Sequence, residues 1–270
     1  LTLTLRPRLL DRLPVSLAGV TPAALAGKSL RQIEQTPVWQ GNRQLPLAEL
    51  YEVSGSAADL HWRLEGDFSR VHNIASAMNE GAVHVAGDVG RHAGQQMRGG
   101  KLTVEGSAGD WLGAAMRGGS IDLQGDTGNH VGGALVAAKV GMRGGRILVR
   151  GSVGTHAAER MRRGWITVLS DCGEWAGHQM RAGTLMVFGS CGPRPGASMR
   201  RGTLALLGGA PELLPTFRYA CDYAPQALAL MLCDLAEQGI DAAQNVSCNV
   251  AIYNGDLLEG GRGEVLVARG

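Results

Sequence analysis

Short bursts of alternating apolar and polar residues recur through the middle of the chain. Leu102 and Val104 alternate with Thr103 and Glu105, and one burst later Ile121 and Leu123 alternate with Asp122 and Gln124. Alternation of this kind with β-branched residues reads as a short strand with one buried face. The bursts follow a fixed interval. Met78, Met97 and Met116 stand 19 residues apart, Leu135 takes the following position, and after seven more residues Met142, Met161, Met180 and Met199 resume the interval. Three residues beyond the anchors stand Gly81, Gly100, Gly119, Gly145, Gly164, Gly183 and Gly202. Each repeat thus holds one clear strand and several turns, too short a unit for ankyrin repeats and without a leucine-rich signature. The expected fold is mainly all-β, a right-handed parallel β-helix of coils of about 19 residues with small α/β caps. The methionines are expected inside as an unbranched stack of gap fillers.

The flanks lack the interval. Residues 1–65 read as an N-terminal cap: Leu1 to Leu5 alternate as a strand, and Thr21-Pro22 before Ala23, Ala24 and Leu25 looks like an N-cap with proline at N1, closed by Gly27. Residues 66–209 form the repeat, with a seven-residue insert at Val136 to Met142 expected to bulge as a loop. In residues 210–270, Pro211, Pro215 and Pro225 mark a linker. Gln226 to Gln238 reads as an amphipathic helix with Leu228, Met231, Leu232 and Leu235 on one face, and Val246 to Tyr253 and Glu264 to Ala268 as strands.

Composition narrows the function classes. Aromatic residues make up only 4% of the 270 and glycine is high at 41, which suits a narrow core of Leu, Val, Ile, Met and Ala. A net charge of +2 argues against a nucleic-acid binder. No apolar run approaches the roughly 18 residues of a membrane span, and LTLTLRPRLL alternates like a strand rather than a secretion signal. Five cysteines with no CxxC pair fit a reduced, cytoplasmic protein.

Three columns carry candidate chemistry. Arg98, Arg117, Arg143, Arg162, Arg181 and Arg200 each follow their methionine, so they should stack as a ridge. That ridge is either a contact for a polyanion or an acidic partner face, or an outward column paired with acids and snorkelling along the wall. Five residues before the anchors lie His92, Trp111, His130, His156, Trp175 and Arg194, expected as a stacked, half-exposed turn column, with the rings of His130 and His156 near 5 Å apart; a metal or proton-transfer role is the alternative reading. Cys172 and Cys191 share a third slot on adjacent coils and are expected as buried free thiols. No residue is assigned a catalytic role and no metal site is assigned; a cofactor-binding residue is not identifiable. The methionine positions Met97, Met116, Met142, Met161, Met180 and Met199 and the glycine positions Gly100, Gly119, Gly145, Gly164, Gly183 and Gly202 are read as architecture.

The string GxxGxxxGxxM-R-x-G over roughly residues 65–208 resembles the GXGXG repeat. That repeat is shared by the C subunit of formylmethanofuran dehydrogenase, its bacterial formyltransferase/hydrolase counterpart, and the C-terminal domain of glutamate synthase. Chain length and the opening LTLTLR favour the C subunit. The resemblance implies a non-catalytic scaffold packed against a metal-dependent hydrolase, a formyltransferase and a pterin-domain-like subunit. In the bacterial complex it implies transfer of a formyl group between tetrahydromethanopterin and a methanofuran-type carrier with release of formate, as part of C1 metabolism and formaldehyde oxidation. In methanogens it implies a tungsten or molybdenum enzyme. A bias of Arg over Lys, with lysine only at Lys28, Lys101 and Lys139, leans toward the bacterial complex. The resemblance implies no cofactor bound by this chain itself, no nucleic acid and no membrane. A glutamate-synthase-like GXGXG protein stays open beside these two.

Overall fold

The alternation along the repeat is also its burial pattern: Leu102 and Val104, then Ile121 and Leu123, are fully buried, whereas Thr103 and Asp122 are half-buried. The protein is seen here as a computed structural model that describes residues 2–8 and 13–269. Leu1 of the expected first strand lies outside the described residues. The architecture is mainly β. Before the repeat come β1 (Leu3–Pro7), β2 (Val15–Ser16), α1 (Pro22–Leu25), α2 (Leu30–Glu34), β3 (Pro37–Gln40), β4 (Arg43–Pro46), α3 (Leu47–Leu50), β5 (Tyr51–Ser54), β6 (His61–Leu64) and β7 (Val71–His72). The repeat supplies β8 (Ala82–Val85), β9 (Lys101–Val104), β10 (Ser120–Leu123), β11 (Arg143–Val149), β12 (Arg163–Val168), β13 (Thr184–Val187) and β14 (Arg201–Leu206). After it follow β15 (Arg218–Tyr223), α4 (Gln226–Glu237), β16 (Val250–Gly255) and β17 (Arg262–Ala268).

Thirteen strands form one sheet in the order β15-β16-β17-β14-β13-β12-β11-β10-β9-β8-β6-β1-β5. From β1 to β17 along this order every pair is parallel, and one apolar line runs across it in register: Val83, Leu102, Ile121, Ile147, Ile166, Leu185, Leu204 and Val265. A second line of single parallel bridges joins Phe68, Val89, Ala108, Thr127, Val153, Cys172 and Cys191. A third line forms at the methionine corner, where the N–H of each following arginine donates to the methionine carbonyl one repeat earlier, from Arg98 onto Met78 at 2.7 Å to Arg200 onto Met180 at 2.8 Å. Successive repeats are therefore held at three places. Acidic side chains add a fourth set of bonds: the carboxylates of Asp88, Asp126 and Asp171 each accept from the backbone N–H of the serine above, Ser107, Ser152 and Ser190, all at 2.7 Å.

The methionine and glycine columns explain each other. Met97, Met116, Met142, Met161, Met180 and Met199 are fully buried. At Gly164 the backbone has φ +108, and a Cβ there would lie 2.7 Å from the Met142 methyl; at Gly145, with φ +91, it would lie 2.7 Å from that of Met116. The glycine thus makes room for the methionine tip of the preceding repeat, in a backbone conformation that costs other residues about 1–2 kcal/mol. Glycine and methionine are two halves of one contact.

The structure corrects one alignment. Leu135 does not hold an anchor position. Arg143 donates to Met116, and Met142 is the fully buried successor of Met116, so the step here is 26 residues. Ala115 bonds Gly133 and Gly141 bonds Arg160, which places the insert at residues 134–140 rather than at Val136 to Met142. Hydrophobic identity alone could not tell Leu135 from a methionine anchor; only the backbone partners could. The insert does bulge: Val136 is 86% exposed, and the Arg160 guanidinium ties the loop down through the Ala138 carbonyl at 2.8 Å.

The flanks follow local chemistry. Thr21 caps α1 by accepting from the Ala24 N–H at 3.3 Å, as its Thr-Pro start predicts. Ser29 and Gln32 form a reciprocal capping box on α2, an element not anticipated from the sequence. A separate four-stranded sheet, β4-β3-β2-β7, sits beside these helices.

Candidate functional site

The six arginines that follow the methionines are all exposed. Regular backbone bonds fix their Cα positions one repeat apart, so the side chains form a ledge of like charge along one corner. Arg200 pairs with Glu259 at 2.7 Å. Arg98, Arg117, Arg143, Arg162 and Arg181 form no ion pair among the described residues. The ledge is therefore mostly uncompensated by ion pairs among the described residues.

At its C-terminal end the ledge widens into a cleft of about 310 Å³ lined by Arg181, Arg200, Arg201, Glu259, Gly260 and Arg262. Arg201 and Arg262 are direct register partners on β14 and β17. The loop that carries Glu259 is anchored by the buried Asp256 carboxylate, which accepts from the Ser198 N–H and the Leu258 N–H, both at 3.1 Å. Sequence reading missed Arg201, Glu259 and Arg262. The signal for Arg262 was present: in Arg262-Gly263-Glu264-Val265-Leu266-Val267 the glycine and alternating apolar residues restate the repeat. Gly263 fills the glycine column, where a Cβ would lie 2.7 Å from the Met199 methyl.

The ring column stacks as expected. Ring centroids are 5.0 Å apart for His92 and Trp111, 5.2 Å for Trp111 and His130, 5.0 Å for His130 and His156, and 6.0 Å for His156 and Trp175; Arg194 lies 4.9 Å from the Trp175 ring. All six residues have φ of +61 to +63. Each bears a left-handed backbone cost that favourable ring stacking, about 0.5–1.5 kcal/mol per pair, helps to offset. Glu159 reaches Nδ1 of His130 at 3.0 Å, and His178 meets both His156 and Trp175 edge-on. Burial holds His92, His156 and His178 below the usual imidazole range; for His156 the neighbouring His130 adds to the effect. Among the described residues no three His, Cys, Asp or Glu side chains converge as metal ligands. Cys172 and Cys191 are buried, backbone-paired and free, and the hydrogen bond that the Cys172 thiol donates to Cys191, together with burial, raises that thiol well above its ordinary range.

A second surface lies on the strands. Outer positions of β8, β9 and β10 are His84, Thr103 and Asp122, while those of β11 to β14 are Leu148, Thr167, Met186 and Ala205. Leu148, Met186 and Ala205 pack in one cluster with Leu228, Leu232 and Leu235 of α4, and Thr167 is a buried polar residue in the same line. An ion pair between Arg146 and Asp234, with Arg146 also 4.4 Å from the Trp165 ring, fastens the helix at the edge of that cluster. No helix among the described residues is long and apolar enough to cross a membrane.

No family model matches the chain. The C subunit of molybdenum-containing formylmethanofuran dehydrogenase 1 from Methanosarcina barkeri is 39% identical over 77 residues, 27% of this chain and 26% of that protein. The C subunit of the formyltransferase/hydrolase complex Fhc from Methylorubrum extorquens is 38% identical over 90 residues, 33% of each. The stretches aligned with such curated relatives span about a quarter to a third of their lengths. One solved structure is similar throughout: a chain of the formyltransferase/hydrolase complex FhcABCD from Methylorubrum extorquens, crystallised with methylofuran, is 36% identical, with 99% of this chain and 100% of that chain covered and a TM-score of 0.92. By that full-length likeness, the chain belongs to the family of C subunits of the formyltransferase/hydrolase and formylmethanofuran dehydrogenase complexes.

Proposed function

We propose that this chain is the scaffold subunit of a formyltransferase/hydrolase complex. Such a complex transfers a formyl group between tetrahydromethanopterin and a methanofuran-type carrier and releases formate. The observation that carries this reading is the end-to-end likeness to a chain of FhcABCD. The chain contributes no catalytic group of its own in this reading. It holds a metal-dependent hydrolase, a formyltransferase and a pterin-domain-like subunit in place in the cytoplasm, and the arginine ledge is one of its contact surfaces. The body is a right-handed parallel β-helix over residues 66–209, capped by residues 1–65 and by the tail at 210–270. Supporting this are the in-register parallel ladder and the three lines of contact per repeat.

The test is native purification from the source, with mass spectrometry of co-purifying chains and metal analysis. A hydrolase and a formyltransferase without tungsten or molybdenum are expected. Tungsten or molybdenum with iron–sulfur proteins would assign the chain to a formylmethanofuran dehydrogenase instead. Recovery of the chain alone as a monomer would overturn the scaffold role.

A further inference from the structure

We propose that the cleft between β14, β17 and the Glu259 loop is a discrete binding site for a compact, multivalent oxyanion. It stands on the geometry of this chain and does not depend on the scaffold reading. Four arginine residues, Arg181, Arg200, Arg201 and Arg262, line about 310 Å³ together with a single acidic residue, Glu259. That carboxylate is engaged by Arg200 at 2.7 Å, and Arg181, Arg201 and Arg262 form no ion pair among the described residues. A smaller hollow of about 110 Å³ adjoins it and shares Arg181, Arg200 and Glu259, adding the side chains of Gln179 and Ser198 as neutral polar groups.

The placement is a product of the fold. Arg201 and Arg262 are neighbours across a parallel ladder, so two like charges stand side by side, which disfavours the pairing unless an anion lies between them. Arg181 and Arg200 approach from the ledge, one repeat apart. The Glu259 loop adds a further wall to this open cleft and is pinned by Asp256 to Ser198 and Leu258. A doubled arginine also occurs earlier along the ledge, where Arg163 follows Arg162 and pairs in register with Arg143. What the C-terminal end adds is a wall from the tail, made by β17 and the Glu259 loop. Planar guanidinium forks grip the paired oxygens of a phosphate or carboxylate in bidentate fashion, and several such contacts favour a ligand carrying more than one negative charge.

The chemistry is shared by a phosphate group and by clustered carboxylates, so two probes are used. Pyrophosphate and citrate are titrated separately into the full chain by calorimetry, with sodium chloride at matched ionic strength as reference. One saturable site per chain is expected, weakened about tenfold or more in the Arg201→Gln/Arg262→Gln double variant. Saturation by pyrophosphate alone identifies a phosphate ligand; saturation by citrate alone identifies carboxylates. Glu259→Gln releases Arg200 and removes the one carboxylate of the cleft, so it is expected to tighten binding severalfold, a direction that mere structural damage does not produce. Far-UV circular dichroism confirms that the variants keep the fold; should the double variant lose it, Arg262→Gln alone serves. A response no larger than that of sodium chloride, or affinities unchanged in these variants, would overturn the site.

Discussion

The two ends of the strand ladder share an interior and differ outside. Across β8 to β14 the inner positions are Val, Leu or Ile throughout and nearly all are fully buried. The outer positions change character between Asp122 on β10 and Leu148 on β11. Before that step the outer face is His84, Thr103 and Asp122, half-buried and polar. After it, Met186 and Ala205 are inaccessible to solvent beneath α4. The inner face builds the stack and is constrained by every neighbouring repeat. The outer face is free of that constraint, so it records what covers it: solvent or another chain on the first half, the protein's own helix on the second. The insert at 134–140 falls at this boundary, between the last half-buried outer residue, Asp122, and the first buried one, Leu148.

The sharpest way to break the comparison is to place the same charge on both halves. Met186→Asp would bury an unpaired carboxylate under α4 and is expected to cost about 3–5 kcal/mol, against within about 0.5 kcal/mol for Thr103→Asp at the equivalent open position. Urea denaturation of the two variants measures the difference; equal effects would show that α4 does not cover the second half. Gly164→Ala tests the interior that both halves share. Positive φ and the contact with Met142 together predict a loss of about 2–4 kcal/mol by the same assay. Leu232→Ala opens a cavity beneath α4 only and is expected to cost about 2–3 kcal/mol, with the ladder's β signal in circular dichroism retained.

The ring column gives a smaller, pH-dependent effect. His92, His156 and His178 have folded values held below the unfolded one, so the unfolded chain binds more protons in the interval between them. Their contribution is fully present above the unfolded value near 6.5 and is lost as pH falls through the lowered folded values. The denaturation midpoint is expected to fall between about pH 7.5 and about pH 5.5, and a His156→Gln/His178→Gln variant to flatten that slope. Smallest of all is Arg117→Ala with Arg143→Ala on the exposed ledge. Stability is expected to stay within about 0.5 kcal/mol, while recovery of partner chains in a pull-down falls if the ledge is a contact surface.

Much of the interior was legible because each repeat states it again. The methionine, glycine and ring columns were read as columns, and the rings stack at the expected spacing. The amphipathic helix was also legible: Gln226–Glu237 carries Leu228, Leu232 and Leu235 into a core as its spacing required. What escaped were events stated only once. β15 has all six residues exposed and no apolar face to announce it. β17 carries the repeat's glycine and alternation without its methionine, so it read as a tail strand rather than another member of the parallel ladder. Leu135 read as an anchor because an apolar residue at the right interval is indistinguishable from one until its backbone partners are known. The arginine cleft was half legible: Arg181 and Arg200 stood in a column, but Arg201, Glu259 and Arg262 gained meaning only from β17.

The sequence by itself determined the repeat length, the inner face and the identity of the buried columns, since each follows from local alternation and from a Cβ-sized space that recurs every 19 residues. The tertiary structure alone decided which outer face is covered, where the insert leaves the stack, and that Arg201 and Arg262 become neighbours across 61 positions of chain. Such pairings depend on how distant segments return to the same sheet edge. Local periodicity cannot specify that, because the parallel ladder offers the same backbone bonds to any strand that arrives in register.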